Sequence, residues 1–433
     1  MESKRLLVVT YYFPPRPGVA SLRLRGLAKY LPEFGWDPVI LTPVLPGEPD
    51  QRFQVVQTPF PGDVVTRLKK RLHLSPDKGL SEQPGIPLAI REGKLTRRIW
   101  TFVRAFIAYP DEYKDWYHYG VKTGHNLLRE MQFDALLSSS GPVTTHLIAK
   151  ELKMRNNIPW IADFRDLWTL KHHYPYGPLR KWFDTRLELK TISWADALVT
   201  VSEPEADKQG SLHRGKPVFA IPNGFDLDEV TQLQIPLTKE FTITYTGTIY
   251  NRTIYGNKQN PTPLLRALRE LIVEGLINPD ITLVRFFGPP DYWLEREIIN
   301  HNLGDIVKQY GTVPRDVALA RQRESQILLL LNWDDPREVG VYTGKLFEYL
   351  AAKRPILAIG GPKGVVSELL EETGAGVHVN SIDDLKVLLK SWYREYQLSG
   401  EVGYNADWNM VQKYSHREMA RKFAEVLDGV VDK

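Results

Sequence analysis

Two α/β domains, each a doubly wound parallel sheet, are what this sequence predicts. The first observation is length: a single hydrophobic core stops growing at roughly 250 to 300 residues, and the chain has 433. The second is pattern: short β-rich apolar runs alternate with helical stretches, as βαβ units require. The third is that the pattern restarts after the Pro-Asn-Gly turn at 222–224. In the first half the strands are read at residues 6–11, 39–41, 135–137, 160–162, 197–201 and 218–221. Between the first two, Ala20, Leu24, Leu27, Ala28 and Leu31 share one helical face, which Gly35 closes. In the second half they are read at 241–245, 281–287, 306–310, 327–331, 356–359 and 377–379. Residues 1–221 make the first domain, with a Pro- and Gly-rich insertion at about 45–105, and residues 238–409 make the second. The stretch between them is expected to act as a hinge. Residues 410–433 carry a helical stripe with a break at Ser415, expected to pack back on the first domain.

Composition narrows the class. Hydrophobic residues at 42% and charged residues at 25% describe a folded, soluble chain and exclude a disordered one. No apolar run reaches the roughly 18 to 20 residues that span a bilayer, and residues 1–9 lack the features of a secretory signal, so a cytoplasmic protein is expected. The absence of cysteine excludes disulfides, thiolate metal sites and cysteine nucleophiles. A net charge of +4 gives no ground for nucleic acid as a partner. The positive charge is nevertheless clustered. Arg67, Lys69, Lys70 and Arg71 form one run, and Lys94, Arg97, Arg98 and Arg104 interleave with Leu95, Ile99, Trp100, Phe102 and Val103 in another. Such an element suits peripheral contact with an anionic membrane, at the inner face for a cytoplasmic protein; a solvated helix face would look the same.

The strongest local constellation follows the apolar strand at Ile327–Leu331. A polar loop leads into a helix over 343–354 that Pro355 stops. Leu346, Phe347, Leu350 and Ala351 make its inward stripe, and Lys345 and Glu348 share one exposed face. Doubly wound folds bind ligands at the C-terminal ends of their strands, and a helix start presents unpaired backbone N–H groups to an anion there. Gly344 allows close approach, Lys345 adds charge, and Glu348 can accept hydrogen bonds from a ribose diol. An ordinary helix with a solvent-facing Lys and Glu has the same pattern.

This helix resembles the donor helix of glycosyltransferase family 4, and the similarity runs along most of the chain. In family order come Tyr-Phe-Pro-Pro at 12–15 with Gly18, Ser-Ser-Gly-Pro at 139–142 with His146, and Asp-Phe-Arg-Asp at 163–166. Val-Ser-Glu at 201–203, Ile-Pro-Asn-Gly-Phe-Asp at 221–226, Tyr-Thr-Gly at 245–247 and Gly-Ala-Gly at 374–376 complete the set. The resemblance implies a GT-B fold, two Rossmann-like domains facing a cleft with a C-terminal helix returning to the first. It implies a retaining glycosyltransferase of the hexosyltransferase type that uses a nucleotide-diphosphate-sugar donor, a UDP- or GDP-sugar, without cofactor or metal. The acceptor is then a saccharide or lipid-linked hydroxyl on the first domain, as in cell-envelope polysaccharide biosynthesis. One position departs from the family. The first member of its Glu-x7-Glu pair is Gly340 here, with Glu338 two residues away, which bears on the donor sugar rather than the nucleotide.

The remaining candidates come partly from the resemblance and partly from their places at strand ends. Gly18 and Arg16, near Arg23 and Arg25, lie against the donor phosphates. After Gly247 comes a basic residue, Arg252 or Lys258, with Arg252 favoured. Asp163, Asp166 and His146 are the candidate catalytic groups, with Arg165 on the acceptor side; an internal ion pair within the Asp-Phe-Arg-Asp run and a structural histidine are the competing readings. Asp226-Leu-Asp228 reads as a helix cap rather than a metal motif. Two other readings stay open: a nucleotide-sugar epimerase, which needs no acceptor, and a binding protein without turnover. A nicotinamide-dependent dehydrogenase does not fit, because the first strand is not followed by Gly-x-Gly-x-x-Gly.

Overall fold

The computed structural model describes residues 3–64, 66–67, 106–172, 174–231, 235–250 and 259–432. The chain divides into two compact units, residues 1–221 with 420–433, and residues 222–419.

The first unit is built on strands β1 (Lys4–Thr10), β2 (Trp36–Pro43), β3 (Gln54–Thr58), β4 (Ala135–Ser140), β5 (Trp160–Phe164), β6 (Ala197–Thr200) and β7 (Val218–Ala220), in the order β3-β2-β1-β4-β5-β6-β7. Every pairing is parallel. Leu6, Leu7, Val8 and Val9 of β1 are all buried, as a central strand covered by helices on both faces demands. Its register sets Leu7 against Val39 on one side and Leu136 on the other. Strand β3 lies inside the stretch read as an insertion; it is an edge strand of five residues whose centre is only half-buried. The helix His416–Val431 places Phe423, Val426 and Leu427 in this unit's interior, and Asp428 accepts from Lys4 Nζ at 2.9 Å and Trp36 Nε1 at 3.2 Å.

The second unit repeats the plan with β8 (Phe241–Thr246), β9 (Thr282–Phe287), β10 (Val307–Gly311), β11 (Ile327–Leu331), β12 (Ile356–Ile359) and β13 (Gly376–Val379). The order is β10-β9-β8-β11-β12-β13, again all parallel. The two faces carry separate clusters: Phe241, Ile243 and Leu329 on one, Leu328, Leu330 and the helix Gly344–Ala352 on the other. Strand order reverses between β1 and β4 in the first sheet and between β8 and β11 in the second. Open α/β sheets bind ligands at such switch points, beyond the strand C-termini. The loops after Thr10, Ser140, Thr246 and Leu331 stand there. Among the described residues, no helix is long and apolar enough to cross a membrane.

Candidate functional site

At the β8/β11 switch point, Gly247 leaves β8 with φ of 112°, a conformation that favours glycine. A Cβ there would stand 2.4 Å from Cε of Lys345. The lysine stem thus lies directly against the Gly247 backbone, and its ammonium sits 5.1 Å from the Tyr245 ring centroid. Burial brings the Lys345 ammonium down to about 8, with the Glu348 carboxylate acting in the opposite sense. Below that pH it is a half-buried cation beside the start of its helix. That helix has Thr343 at its N-cap with no side-chain cap bond.

Glu348, one turn on, has its carboxyl pushed up by burial, opposed by Arg315 and by a bond from Gln322. Arg315 reaches Glu348 Oε1 at 3.5 Å and spans both Glu229 oxygens at 3.1 Å. Gln322 donates from Nε2 to Thr246 Oγ1 at 2.9 Å and to Glu348 Oε2 at 3.4 Å. Arg315 and Gln322 lie seven residues apart, two turns on one face of the helix Arg315–Arg323. The Thr246 amide donates to the Tyr349 hydroxyl at 3.1 Å, fixing the helix to the end of β8.

Lys345 and Glu348 do share a face, yet both are half-buried rather than exposed, because β8 and the Arg315–Arg323 helix pack against that face. Sequence reading missed Glu229, Arg315 and Gln322; the i, i+7 spacing of Arg315 and Gln322 was the available signal. The other residues of this segment are also fixed. Gly344 begins the helix, and Leu346, Phe347, Leu350 and Ala351 are buried as the stripe predicts. Glu338 ends a short 3-10 turn, Pro336–Glu338, and lines a small recess with Trp333 and Val341. Arg252 and Lys258 lie outside the described residues. The described residues on either side are Tyr250, whose ring stacks 5.7 Å from Trp333, and Gln259, which donates to Leu331 O at 3.1 Å, both at the β8/β11 edge. Asp226 Oδ1 accepts from the Asp228 amide at 3.1 Å, a turn contact at the start of the helix Leu227–Thr231.

In the first unit, Gly18 precedes the helix Val19–Tyr30 with φ of 118°, and nothing lies within 4 Å of where its Cβ would be. That helix start has no side-chain cap. Arg16 is turned away from it: its guanidinium donates to Tyr11 OH at 3.1 Å and Val44 O at 3.0 Å and lies 4.3 Å from the Tyr11 ring centroid.

Asp163, at the end of β5, is wholly buried. It accepts from Arg23 at 3.3 and 3.0 Å and from Ser139 Oγ at 2.7 Å. Arg23 also donates to Ile221 O at 3.1 Å. Asp163 is thus held in an internal ion pair with Arg23, outside the Asp-Phe-Arg-Asp run, and not with Arg165. His146 is equally enclosed, its Nδ1 2.7 Å from Ser138 Oγ, which accepts from Trp160 Nε1 at 2.8 Å. Burial drives the His146 imidazole down to about 3, so it is neutral at physiological pH. Asp166 alone of the three presents its side chain to solvent, paired with Arg165 at 2.9 Å. Arg165 Nε donates to Ser140 O at 3.3 Å and its guanidinium lies 5.8 Å from the Tyr12 ring centroid. The structure thus gathers Asp166, Arg165 and Tyr12 at the C-terminal ends of β1, β4 and β5, and seals Asp163 and His146 beneath them.

Comparison with known proteins agrees with this architecture. Residues 20–224 match the glycosyl transferase 4-like domain. Among solved structures, a glycosyltransferase from Rickettsia africae superposes with a TM-score of 0.58 at 14% identity, covering 100% of both chains. Sucrose-phosphate synthase from Thermosynechococcus elongatus gives 0.59 at 15%, covering 99% of each. Anabaena HepE, solved with UDP and glucose, gives 0.58 at 14%, covering 98% of this chain and 100% of its own. No curated protein matches the chain by sequence. Residues 20–224 thus carry the likeness to a glycosyl transferase 4-like domain, and the chain as a whole shares the GT-B fold of two doubly wound parallel sheets.

Proposed function

We propose that the protein moves a sugar from a nucleoside-diphosphate-sugar, with UDP or GDP as the nucleotide, to an acceptor hydroxyl with retention of anomeric configuration. The observation that carries this is the Lys345 ammonium held against the Gly247 backbone at the uncapped start of its helix, with Glu348 one turn further on. A diphosphate placed there meets a cation and free N–H groups together, and the ribose diol meets Glu348. Anabaena HepE, which shares the fold, was solved with UDP-glucose.

In the reaction the bond between the anomeric carbon and the diphosphate oxygen breaks, and the acceptor oxygen bonds to that carbon on the same face. Negative charge grows on the leaving diphosphate, where Lys345, the helix N–H groups and the cations Arg252 and Lys258 are assigned to stabilise it. Arg16 holds the loop that carries Gly18. Asp166 and Arg165 are assigned to the acceptor, with Asp163 and His146 positioning them from below. The acceptor is a saccharide or lipid-linked hydroxyl, reached by a protein in peripheral contact with an anionic membrane at its inner face. Glu338 takes the place of the absent carboxylate at Gly340 in meeting the donor sugar.

The test is a thermal-shift screen with UDP, GDP, ADP, CMP and their sugars, followed by proton NMR of the product's anomeric configuration. A shift with one nucleoside diphosphate and a product of unchanged configuration is expected. No shift with any nucleotide removes the donor reading, and an inverted product removes retention. Asp166→Asn should lower turnover without altering the nucleotide shift.

A further inference from the structure

The helix Pro178–Ile192 of the first unit is turned inside out relative to a helix at a water-facing surface. Its buried positions are Arg180, Asp184, Glu188 and Thr191, spaced at i, i+4, i+8 and i+11, with the apolar Ile192 joining the core only at its last residue. Its outward positions carry Leu179, Trp182, Phe183 and Leu189, with Trp194 just past the end, and these are 40 to 58% exposed. Soluble helices place apolar side chains inward and charge outward.

The inward charges are paired, although Arg180 Nη1 and Asp184 Oδ1 keep no hydrogen-bond partner among the described residues. Arg180 pairs with Asp184 at 2.9 Å, and the Tyr174 hydroxyl donates to the same carboxylate. Glu188 accepts from the Thr169 amide at 3.0 Å and lies 3.4 Å from His213 Nε2. Both acids of the helix are thereby withdrawn from the surface. What remains outside is Lys181, Arg186 and Lys190 among the apolar groups, and among the described residues none of the three has a carboxylate within salt-bridge distance. Arg186 lies 3.9 Å from the Trp182 ring centroid, and Trp182 meets Phe183 edge to face at 4.9 Å. Exposed Phe106 and Ile107 precede Tyr109, whose hydroxyl reaches Phe183 O at 3.5 Å.

We propose that this helix is a docking surface for an anionic lipid bilayer. Its chemistry selects that partner. Paired aromatic rings suit the headgroup boundary, where one side of a side chain is apolar and the other wet. Three outward cations with no outward acid suit a negative surface, which attracts them within a Debye length. A helix that follows a parallel strand begins at the sheet's C-terminal edge, so Leu179, Trp182 and Phe183 stand toward the same edge as Asp166. A bilayer under them lies on the side where a lipid-linked acceptor would be presented. This surface, which rests on the acceptor reading, lies apart in sequence from the basic runs at 67–71 and 94–104, which beyond Arg67 fall outside the described residues.

The experiment is flotation of the full chain with phosphatidylcholine vesicles, with and without phosphatidylglycerol, at low and high salt. It needs neither turnover nor nucleotide, so its failure is separable from failure of the donor site. Wild type should float with the anionic vesicles only, and less at high salt. The pair Trp182→Ser with Phe183→Ser should weaken binding by about tenfold or more, and the triple reversal Lys181→Glu, Arg186→Glu, Lys190→Glu by about a hundredfold or more. Both variants should keep the wild-type melting temperature and nucleotide shift, because all five side chains point outward. Unchanged flotation in both variants, with loss only when Lys94, Arg97 and Arg98 are neutralised, would overturn the assignment. So would a wild-type chain that ignores anionic vesicles and self-associates through these residues in light scattering.

Discussion

Lys345 is a lysine whose ammonium is brought to about 8 from an ordinary 10.5 by burial. Below about 8, folded and unfolded chains both carry its charge, and the burial cost is fully present. Between about 8 and 10.5 the unfolded chain holds a proton that the folded chain has released, so stability rises with pH across that window. Lys345→Met should flatten this rise in urea midpoints measured on either side of pH about 8. A bound diphosphate favours the charged form, so nucleotide affinity should fall as pH climbs past about 8, with a proton taken up on binding in that region. Gly247→Ala attacks the same contact from the backbone: the new Cβ meets Lys345 Cε at 2.4 Å in a left-handed conformation. It should abolish the nucleotide shift and cost about 1 to 3 kcal/mol of stability. The sequence made Lys345 and Glu348 legible because they are one turn apart on one helix. It did not make Arg315 and Glu229 legible, since only tertiary packing brings residues 229, 315 and 348 together.

At the scale of elements, the apolar runs located the buried strands because a parallel sheet covered on both faces permits little else. β1 and β11 are clear examples, read at 6–11 and 327–331 and observed at Lys4–Thr10 and Ile327–Leu331. β3 was hidden among prolines and glycines, since an edge strand needs only Val55 and Val56 to pack half-buried on its neighbour. The exposure of Lys345 and Glu348 was misjudged for a related reason: a helix's own periodicity does not reveal a second helix lying against its polar side. Tyr349 is the joint between the helix Gly344–Ala352 and β8. Tyr349→Phe leaves the buried Thr246 amide without its acceptor, and should destabilise the protein by about 1 to 3 kcal/mol. Hydrogen exchange should quicken at Thr246 while β1 and β4 stay protected.

For the whole chain, the ion pair Arg23–Asp163 does more than local work. It joins the helix after β1 to the end of β5, to the carbonyl of Ile221 where the first unit's main segment ends, and through the Phe423 ring, 5.2 Å away, to the helix that completes that unit. Both side chains are almost fully buried. Asp163→Ala would strand the guanidinium, so a loss of about 3 to 5 kcal/mol is expected in thermal or urea unfolding. Loss of activity in that variant should therefore track loss of fold, unlike Asp166→Asn, which should keep the wild-type melting temperature. The central claim concerns the second unit, where the donor nucleotide is assigned to Lys345 and Glu348. Calorimetric titration of the best nucleoside diphosphate into wild type, Lys345→Ala and Glu348→Ala tests it most directly. Saturable binding to wild type is expected, weakened by about tenfold or more in each variant while both variants stay folded by circular dichroism, since a charge-assisted contact contributes about 1.5 to 3 kcal/mol. Equal affinity in all three proteins would contradict it.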